Sequence, residues 1–373
     1  MIQKILEAAV MSGDVAGVVA AVTRADGTKM LAKAGVAVAG GDRLVDEDTI
    51  FWIASMTKPV TSIAAMQLVE RGLLALDAPI GDVLPFLARP QILEEGRLRP
   101  AKTPITLRHL LTHTAGFSYD FASTEYVAYM QAHPETAKRG RLGWLEMPLL
   151  FEPGTEWAYG INTDWVGRAV EAASGMTLDA YFRAHILDPL GMADTQFVPS
   201  PAQDERRAAI HQRQADGTLA AAPIMPVNPG AFCSGGGGLY STVADYQKFL
   251  AIFLHGGGGI ISPASLAEMT RNQIGALRAG YIPSANPELI TGADMNPGQE
   301  SKWGLGFLIY PERGPFGRNA GSLGWAGLAN TYFWIDPAAG HAAVIMMQIL
   351  PSGDMGAVKT LCGFETAVYA KAC

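Results

Sequence analysis

The first residues that could do chemistry are Ser55 and Lys58, three apart in the stretch IFWIASMTKPVTSIAAMQLVERG (residues 50–72). Side chains at this spacing share one face of a helix, so the lysine amine could reach the serine hydroxyl. A serine nucleophile needs a base, and lysine can be that base only where burial or nearby positive charge lowers its pKa. Pro59 fits a first helical turn, whose free N–H groups suit a developing oxyanion. The pair alone is a weak signal, because Ser-x-x-Lys often occurs by chance and by itself favours an ordinary core helix.

Other catalytic signals in the chain are weaker. No G-x-S-x-G motif is present, which argues against a Ser-His-Asp hydrolase. His109 and His113 have the spacing of a zinc-binding helix but lack the HExxH glutamate, so we predict structural roles for both. The glycine runs at residues 235–238 and 256–259 lack the lysine of a phosphate-binding loop. We predict that the first run is a tight backbone passage into a helix that begins at Thr242.

The composition excludes several classes of function. The chain has 373 residues, a net charge of −7, and 49% hydrophobic and 17% charged residues, which is typical of a globular enzyme. This acidic balance gives no reason to expect nucleic acid or a membrane as a partner. Three widely spaced cysteines, Cys233, Cys362 and Cys373, form no CxxC motif, and no apolar run is long enough to span a membrane. We expect a cytoplasmic protein without a metal or other cofactor, and the oligomeric state cannot be read from the residues.

Strand-like and helix-like patterns alternate along the chain. Residues 17–35 hold two β-prone runs around an Asp-Gly turn, which predicts a hairpin. Near the other end, KWGLGFLIYPERG, LANTYFWIDPAAG and HAAVIMMQIL predict three more strands, the last two antiparallel neighbours. The closing segment, residues 356–373, predicts a helix. Its apolar stripe comprises Val358, Leu361, Cys362, Val368 and Tyr369.

The order of these patterns predicts an α+β fold. Strands at both termini indicate one antiparallel sheet flanked by helices and built from residues 1–76 and 226–373. Residues 77–225 read as helices separated by proline-rich connections, which predicts a mostly helical inserted domain. We expect the active site at the interface between the two domains.

Three segments, in order along the chain, resemble one protein family. Residues 51–61, FWIASMTKPVT, are similar to the nucleophile motif of the serine β-lactamase and penicillin-binding-protein superfamily. Residues 151–171, FEPGTEWAYGINTDWVGRAVE, resemble its Tyr-Ser/Ala-Asn region, with Tyr159 at the tyrosine position. Residues 324–337, GWAGLANTYFWIDP, resemble the strand that carries Lys-Thr-Gly in β-lactamases. Within the superfamily the chain most resembles the family VIII carboxylesterases, which implies a β-lactamase/transpeptidase-like fold.

The resemblance implies a role for each matching residue. Ser55 would be the acylated nucleophile, and Lys58 with Tyr159 would form the base system that takes its proton and later activates water. The backbone N–H groups of Ser55 and Leu328 would form the oxyanion hole. A lysine ammonium beside a phenol is expected to lower the pKa of that phenol, so the pair should titrate as a unit.

Departures from the family pattern narrow the substrate. Where β-lactamases carry Lys-Thr-Gly, this chain has Trp325-Ala326-Gly327, so the groups that hold a lactam carboxylate are replaced by an aromatic wall. The asparagine of the tyrosine motif is displaced by one position, to Asn162. We predict substrate-binding roles for the residues of these motifs and for the nearby tryptophan, namely Trp325, Ala326, Gly327, Asn162 and Trp157.

These changes favour a carboxylesterase that acts on a small-molecule ester through an acyl-enzyme on Ser55. A β-lactamase, a D-amino-acid peptidase or amide hydrolase, and an acyltransferase would use the same three residues and stay open as alternatives. A non-catalytic binding module that retained the fold is a further alternative, although such a module would have no need for Ser55, Lys58 and Tyr159 together.

Overall fold

The computed structural model describes residues 1–134, 143–222 and 233–370. Cys373 and the predicted domain boundary at residues 225–226 lie outside this part of the chain. The strands β1 to β16 are, in chain order, Gly17–Arg24, Lys29–Gly35, Phe51–Trp52, Gln91–Glu94, Arg97–Pro100, His211–Arg213, Leu219–Ala221, Tyr240–Ser241, Tyr281–Ile282, Ala293–Asp294, Lys302–Trp303, Leu308–Tyr310, Ser322–Gly327, Thr331–Asp336, His341–Met346 and Ile349–Leu350.

The helices lie mainly between the two strand-rich ends of the chain. The α-helices α1 to α11 are, in chain order, Ile2–Met11, Thr57–Glu70, Leu107–Leu111, Thr124–Ala132, Asn162–Ser174, Leu178–Phe182, Asp188–Leu190, Pro201–Asp204, Val243–Leu254, Pro263–Thr270 and Met355–Tyr369. Short 3₁₀ turns occur at Ala54–Met56, Ile80–Asp82, Pro85–Ala88 and Asp120–Ala122, and a π-helical turn at Arg183–Leu187. No helix in residues 1–134, 143–222 and 233–370 is long and apolar enough to cross a bilayer.

One seven-stranded antiparallel sheet forms the centre of the molecule, as predicted. Its strand order is β11-β12-β13-β14-β15-β1-β2, so the hairpin from the N-terminus completes a sheet started by the C-terminal strands. The predicted strand KWGLGFLIYPERG is instead two short strands, β11 and β12. Gly304 N–H donates to Phe307 O across the break (2.9 Å), and Gly306 adopts a positive φ of 103° that favours glycine.

Helices cover both faces of this sheet. On one face, α1 and α11 pack together and against the sheet, and their apolar residues meet Trp334 and Ile345. On the other face, α9 packs on β1 and β15, and α2 joins the same core. The strands β14 and β15 are therefore buried on both faces, which explains their nearly continuous apolar sequence. The α+β class and the sheet built from both chain ends are confirmed.

The C-terminal helix α11 forms as predicted, but its most buried residues lie beside the predicted stripe. These residues are Ala357, Thr360, Phe364, Glu365 and Ala367. Three members of the predicted stripe are only half buried, because they line a cavity: Val358, Leu361 and Cys362. The predicted helical period was therefore correct. The predicted apolar face of α11 borders a cavity, so its side chains are less buried than expected.

The division into a sheet domain and a helical domain stays a prediction. α2 packs closely against α5, which belongs to the predicted helical domain, and both contribute to one apolar core. Residues that follow the inserted region, such as Leu239 and Tyr246, lie in that same core.

Candidate active site

Ser55 lies in a tight 3₁₀ turn, Ala54–Met56, that leads directly into α2. Ala54 has a positive φ of 43°, a left-handed conformation that costs a non-glycine residue about 1–3 kcal/mol. The turn is held on both sides, because Met56 N–H donates to Ile53 O (3.0 Å) and Ile53 N–H donates to Leu239 O (3.1 Å). Pro59 occupies the first turn of α2, as predicted.

The three predicted catalytic side chains meet at the Ser55 hydroxyl. The Tyr159 hydroxyl donates to Ser55 Oγ at 2.6 Å, and Lys58 Nζ lies 3.1 Å from the same oxygen. The indole N–H of Trp325 donates to the Tyr159 hydroxyl at 3.3 Å. Because that hydroxyl has only one proton, its proton points at Ser55 while its oxygen accepts from Trp325. Trp325 thus contacts the catalytic phenol as well as lining the cavity, a contact that the sequence did not predict.

Lys58 has further partners that sequence reasoning missed. Its Nζ donates to Gly236 O at 2.7 Å and lies 3.0 Å from the Tyr119 hydroxyl. The side chain is fully buried, and this burial lowers the pKa of Lys58 to about 7, against the opposing attraction of Asp164. Lys58 can therefore lose its proton near neutral pH. The only sequence signal for Tyr119 is its place shortly after the family-like stretch TLRHLLTHTAGF.

The buried carboxylate of Asp164 reaches Lys58 through the backbone of Gly236. Asp164 Oδ1 accepts from Gly236 N–H (3.0 Å) and from the Ser234 hydroxyl (2.6 Å), while the carbonyl of Gly236 accepts from Lys58. A Cβ atom on Gly236 would lie 2.5 Å from Asp164 Oδ2, so this position requires glycine. The predicted tight backbone passage is confirmed here, and Thr242 caps α9 as expected.

The expected lowering of the phenol pKa is wrong. Burial raises the pKa of Tyr159 above its usual value, although the hydrogen bonds with Ser55 and Trp325 act in the opposite direction. Burial also raises the pKa of Tyr119 and lowers that of His113, so both phenols stay protonated and the imidazole stays neutral. Desolvation is the largest influence on the pKa of Tyr159, and the negative charge of Asp164 raises this pKa further.

A substitution of Asp164 by asparagine tests this arrangement. The amide oxygen can still accept the two hydrogen bonds, but the attraction that raises the pKa of Lys58 is lost. The groups that face the amine from neighbouring elements are Tyr119, Tyr159, His113 and Asp164, and Asp164 is the acidic one among them. We expect the rising limb of the pH profile of kcat/KM to move to lower pH in Asp164→Asn. A uniform loss of activity without a shift would show a purely structural role.

The turn after β13 brings the predicted oxyanion-hole residues to the same cavity. A Cβ atom on Gly327 would lie 2.4 Å from Ile53 O, so β13 passes directly beside the Ser55 turn. Asn330 holds the following turn with a positive φ of 59°, and its Nδ2 donates to Ile349 O (2.8 Å) and Pro351 O (2.9 Å). Ser55 and Leu328 both line the cavity. The oxyanion role of their N–H groups stays a prediction.

Two predicted substrate-binding residues lie behind the site instead of in it. Asn162 is fully buried at the start of α5, and its Nδ2 lies 3.0 Å from His113 Nδ1. The Trp157 ring packs against His113, Tyr159 and Trp303. Neither residue lines the cavity that holds Ser55. The physical reason is that Asn162 begins α5, where its amide meets the buried His113 ring instead of the cavity.

The two histidines with zinc-like spacing, His109 and His113, have structural roles. His109 completes a capping box with Thr106 at the start of α3, where Thr106 N–H donates to His109 Nδ1 (3.2 Å). His113 accepts from Gly160 N–H at 3.4 Å and supports the loop that carries Tyr159. Within the part of the chain that the structure describes, no cluster of three or more His, Cys, Asp or Glu side chains could hold a metal ion.

A mostly apolar cavity of about 530 Å³ opens at Ser55. This volume is within the usual range for sites that bind small molecules. Its wall near the nucleophile is aromatic and includes Phe121 and Trp144. The motif residues on β13 also line it, as predicted: Trp325, Ala326 and Gly327. A serine with a neutral base and a proton-donating phenol in such a cavity can attack a carbonyl carbon and form an acyl-enzyme.

Comparisons with known proteins agree with this geometry. The family model for beta-lactamase matches residues 2–361. The chain is 35% identical over 341 residues to monacolin J acid methylbutanoyltransferase of Aspergillus terreus, covering 87% of this chain and 83% of that protein. It is 34% identical over 377 residues to lovastatin esterase of Penicillium rubens, covering 94% of this chain and 93% of that protein.

The fold also agrees with that of a solved structure of a relative. The structure matches that of unliganded simvastatin synthase from Aspergillus terreus with a TM-score of 0.88 at 31% identity, covering 99% of this chain and 97% of that chain. The predicted β-lactamase/transpeptidase-like fold is therefore confirmed. The chain belongs to the beta-lactamase family and is an enzyme of the serine hydrolase type, with esterases and acyltransferases among its relatives.

Proposed function

We propose that the protein is a carboxylesterase that hydrolyses neutral, apolar esters through an acyl-enzyme on Ser55. One observation carries the proposal: Ser55 Oγ lies between Lys58 Nζ (3.1 Å) and the Tyr159 hydroxyl (2.6 Å) at an apolar cavity. No cofactor is needed for this chemistry, because the nucleophile, the base and the proton donor are all side chains.

In the acylation step, Lys58 acts as the base. The Ser55 hydroxyl transfers its proton to the neutral Lys58 amine while its oxygen forms a bond to the ester carbonyl carbon. The carbonyl π electrons move to the oxygen, which the N–H groups of Ser55 and Leu328 stabilise. When the tetrahedral intermediate collapses, the C–O bond to the alcohol breaks. The alkoxide takes a proton from Tyr159, and the resulting alcohol then passes a proton from the Lys58 ammonium back to the Tyr159 phenolate, which leaves both groups neutral.

Deacylation repeats the same steps with water as the nucleophile. Water gives a proton to the neutral Lys58 amine as its oxygen attacks the acyl carbonyl carbon. The bond to Ser55 Oγ then breaks, the acid leaves, and the Lys58 ammonium returns the proton to Ser55 Oγ. Lys58 is the group best suited to accept this proton, because both nearby phenols have pKa values raised by burial.

The residue at position 325 supports an ester over a β-lactam as substrate. Trp325 is buried, donates to Tyr159 and packs edge-on against Trp303 at 4.6 Å between ring centroids. It therefore offers no cation to a lactam carboxylate. A hydrogen bond to a charged group contributes about 1.5–3 kcal/mol, so its loss weakens lactam binding by a factor of roughly 10–100.

Acyl transfer to an alcohol is the second candidate function. The relatives include a methylbutanoyltransferase as well as an esterase, and the cavity wall is apolar enough to favour an alcohol over water. Both reactions share the acyl-enzyme and differ only in what attacks it. The partition can be measured directly by adding 1-butanol to p-nitrophenyl butyrate and quantifying butyl butyrate and butyric acid.

A parallel assay on two substrates tests the proposed function. We expect hydrolysis of p-nitrophenyl butyrate with a kcat/KM at least roughly tenfold above that for a chromogenic cephalosporin, because the lactam carboxylate has no charged partner at Trp325. The opposite ranking would make the protein a β-lactamase. Absence of turnover with any ester, amide or lactam would contradict the acyl-enzyme proposal.

A further inference from the structure

The cavity continues beyond Ser55 into a passage along the C-terminal helix α11. Four residues of this helix line it, Val358, Leu361, Cys362 and Glu365. Leu361, Cys362 and Glu365 follow Val358 by three, four and seven residues, which places all four on one helix face. At about 1.5 Å per residue, the face is about 10 Å long. We call the part of the cavity beside these four residues the distal channel.

A small residue on β13, Ala326, leaves room for the distal channel. Ala326 pairs with Tyr332 on β14, whose side chain is also part of the cavity wall. Gly324 lies on the same face of β13, because alternate residues of a strand share a face. A Cβ atom on Gly324 would lie 3.3 Å from the Tyr310 ring, which itself lines the cavity. A larger side chain at Ala326 would narrow the space between the strand and α11.

A buried ion pair lies at the Glu365 end of the distal channel. Arg318 Nη2 donates to Glu365 Oε2 at 2.6 Å, and both side chains are almost completely buried. The guanidinium also lies over the rings of Tyr310 (4.6 Å) and Trp334 (5.0 Å). The Arg318 charge is paired with Glu365, and the guanidinium is covered by two aromatic rings. We therefore expect this ion pair to stay in place and to limit the length of any group that enters the distal channel.

An apolar space of this kind is typical of a ligand site. Small-molecule sites are concave and are lined mainly by hydrophobic and aromatic side chains. Here α11 turns apolar side chains toward open space that is continuous with the cavity at the nucleophile. The continuity with Ser55 identifies the substrate of that serine as the occupant.

We propose that the distal channel binds an elongated apolar group of the ester substrate, in its acyl half or its alcohol half. The inference rests on the proposed function and names the substrate class: esters with a non-reacting part that reaches beyond Ser55 and fills the distal channel, which is about 10 Å long. Each buried CH₂ group raises kcat/KM about fourfold, the equivalent of about 0.8 kcal/mol, until the chain reaches the Arg318–Glu365 pair. Longer chains give no further gain.

Two series of esters and two tryptophan variants test the inference. The acyl series is p-nitrophenyl acetate, butyrate, octanoate and dodecanoate, and the alcohol series is ethyl, butyl and octyl acetate. Leu361→Trp fills the distal channel, whereas Thr366→Trp places the same side chain on the exposed face of α11. We expect Leu361→Trp to lower the ratio of long-chain to short-chain kcat/KM at least tenfold in one series. Thr366→Trp should leave the ratio unchanged.

The series that responds to Leu361→Trp shows which half of the ester occupies the distal channel. An unchanged ratio in both series would overturn the inference. Failure of the wild-type protein to hydrolyse any of these esters would instead reject the proposed function, so the two failures are distinguishable.

A labelling experiment on the wild-type chain gives a result that does not depend on the folding of a variant. Cys362 is a free thiol in the channel wall, and methyl methanethiosulfonate is small enough to reach it. Ser55 is first modified with a phosphonate that carries an octyl chain on phosphorus or on its ester oxygen, or with methyl groups at both places. We expect one octyl adduct to slow labelling of Cys362, measured by peptide mass spectrometry, relative to the methyl adduct. Equal labelling after all three treatments would overturn the inference.

Discussion

Ser55→Ala should reduce hydrolysis of p-nitrophenyl butyrate by roughly 10⁴-fold or more, to near the uncatalysed rate. Removing the nucleophile abolishes the covalent route, and only binding and oxyanion stabilisation remain. Kinetic assays of purified wild-type and variant protein measure this loss. A phosphonate or slow acyl substrate should add its mass to the peptide that contains Ser55 in the wild-type protein, and to no peptide in the variant.

The same helix offers a matched control. Ser62 is also buried on α2, and its Oγ has no hydrogen-bond partner in the part of the chain that the structure describes. Ser62→Ala should therefore keep the activity and the thermal stability of the wild-type protein. A covalent adduct on another side chain, or full activity in Ser55→Ala, would contradict the assignment of the nucleophile.

Lys58→Met should lower kcat/KM by roughly 10²–10⁴-fold, the usual contribution of a general base. Methionine fills the same buried space without an amine, so circular dichroism and thermal unfolding can separate lost chemistry from lost folding. Lys58→Arg should be equally inactive, because a guanidinium stays protonated and cannot accept the proton of Ser55. Activity in the arginine variant would show that position 58 supplies only positive charge.

The pH profile of the wild-type enzyme follows from the same residue. Below pH 7 the buried amine is protonated and cannot act as a base, and above it the amine is neutral, because the pKa of Lys58 is about 7. We therefore expect kcat/KM to rise about tenfold per pH unit below neutrality and to level off above pH 7. A profile that falls through neutrality would contradict the role of Lys58 as the base.

Part of the site could be predicted from the sequence because some of its residues are close together in the chain. Ser55 and Lys58 lie three apart and Pro59 follows, so helix geometry alone indicates their shared face. Tyr159 and Trp325 are distant in sequence, and only their family-like motifs placed them beside Ser55. The antiparallel sheet followed from β-prone runs and turns at the two ends of the chain.

Only the tertiary structure decided which groups surround the lysine. Tyr119, Asp164 and Gly236 come from three separate segments, and no spacing in the chain indicates that they converge on Lys58. Their effect on pKa also depends on burial, which is a property of the packed interior. For this reason the sequence predicted a lowered phenol pKa for Tyr159 whereas the folded protein raises it.

The directions of the side chains near the site also depend partly on the sequence pattern and partly on the tertiary structure. The sequence by itself determined the nucleophile motif, the fold class and the helical period of α11. Tertiary packing decided that Asn162 turns into the core and that Val358, Leu361 and Cys362 face a cavity. Sequence patterns encode which residues share a face. Whether that face meets protein or open space depends on the volumes of residues elsewhere in the chain, here Ala326 on β13.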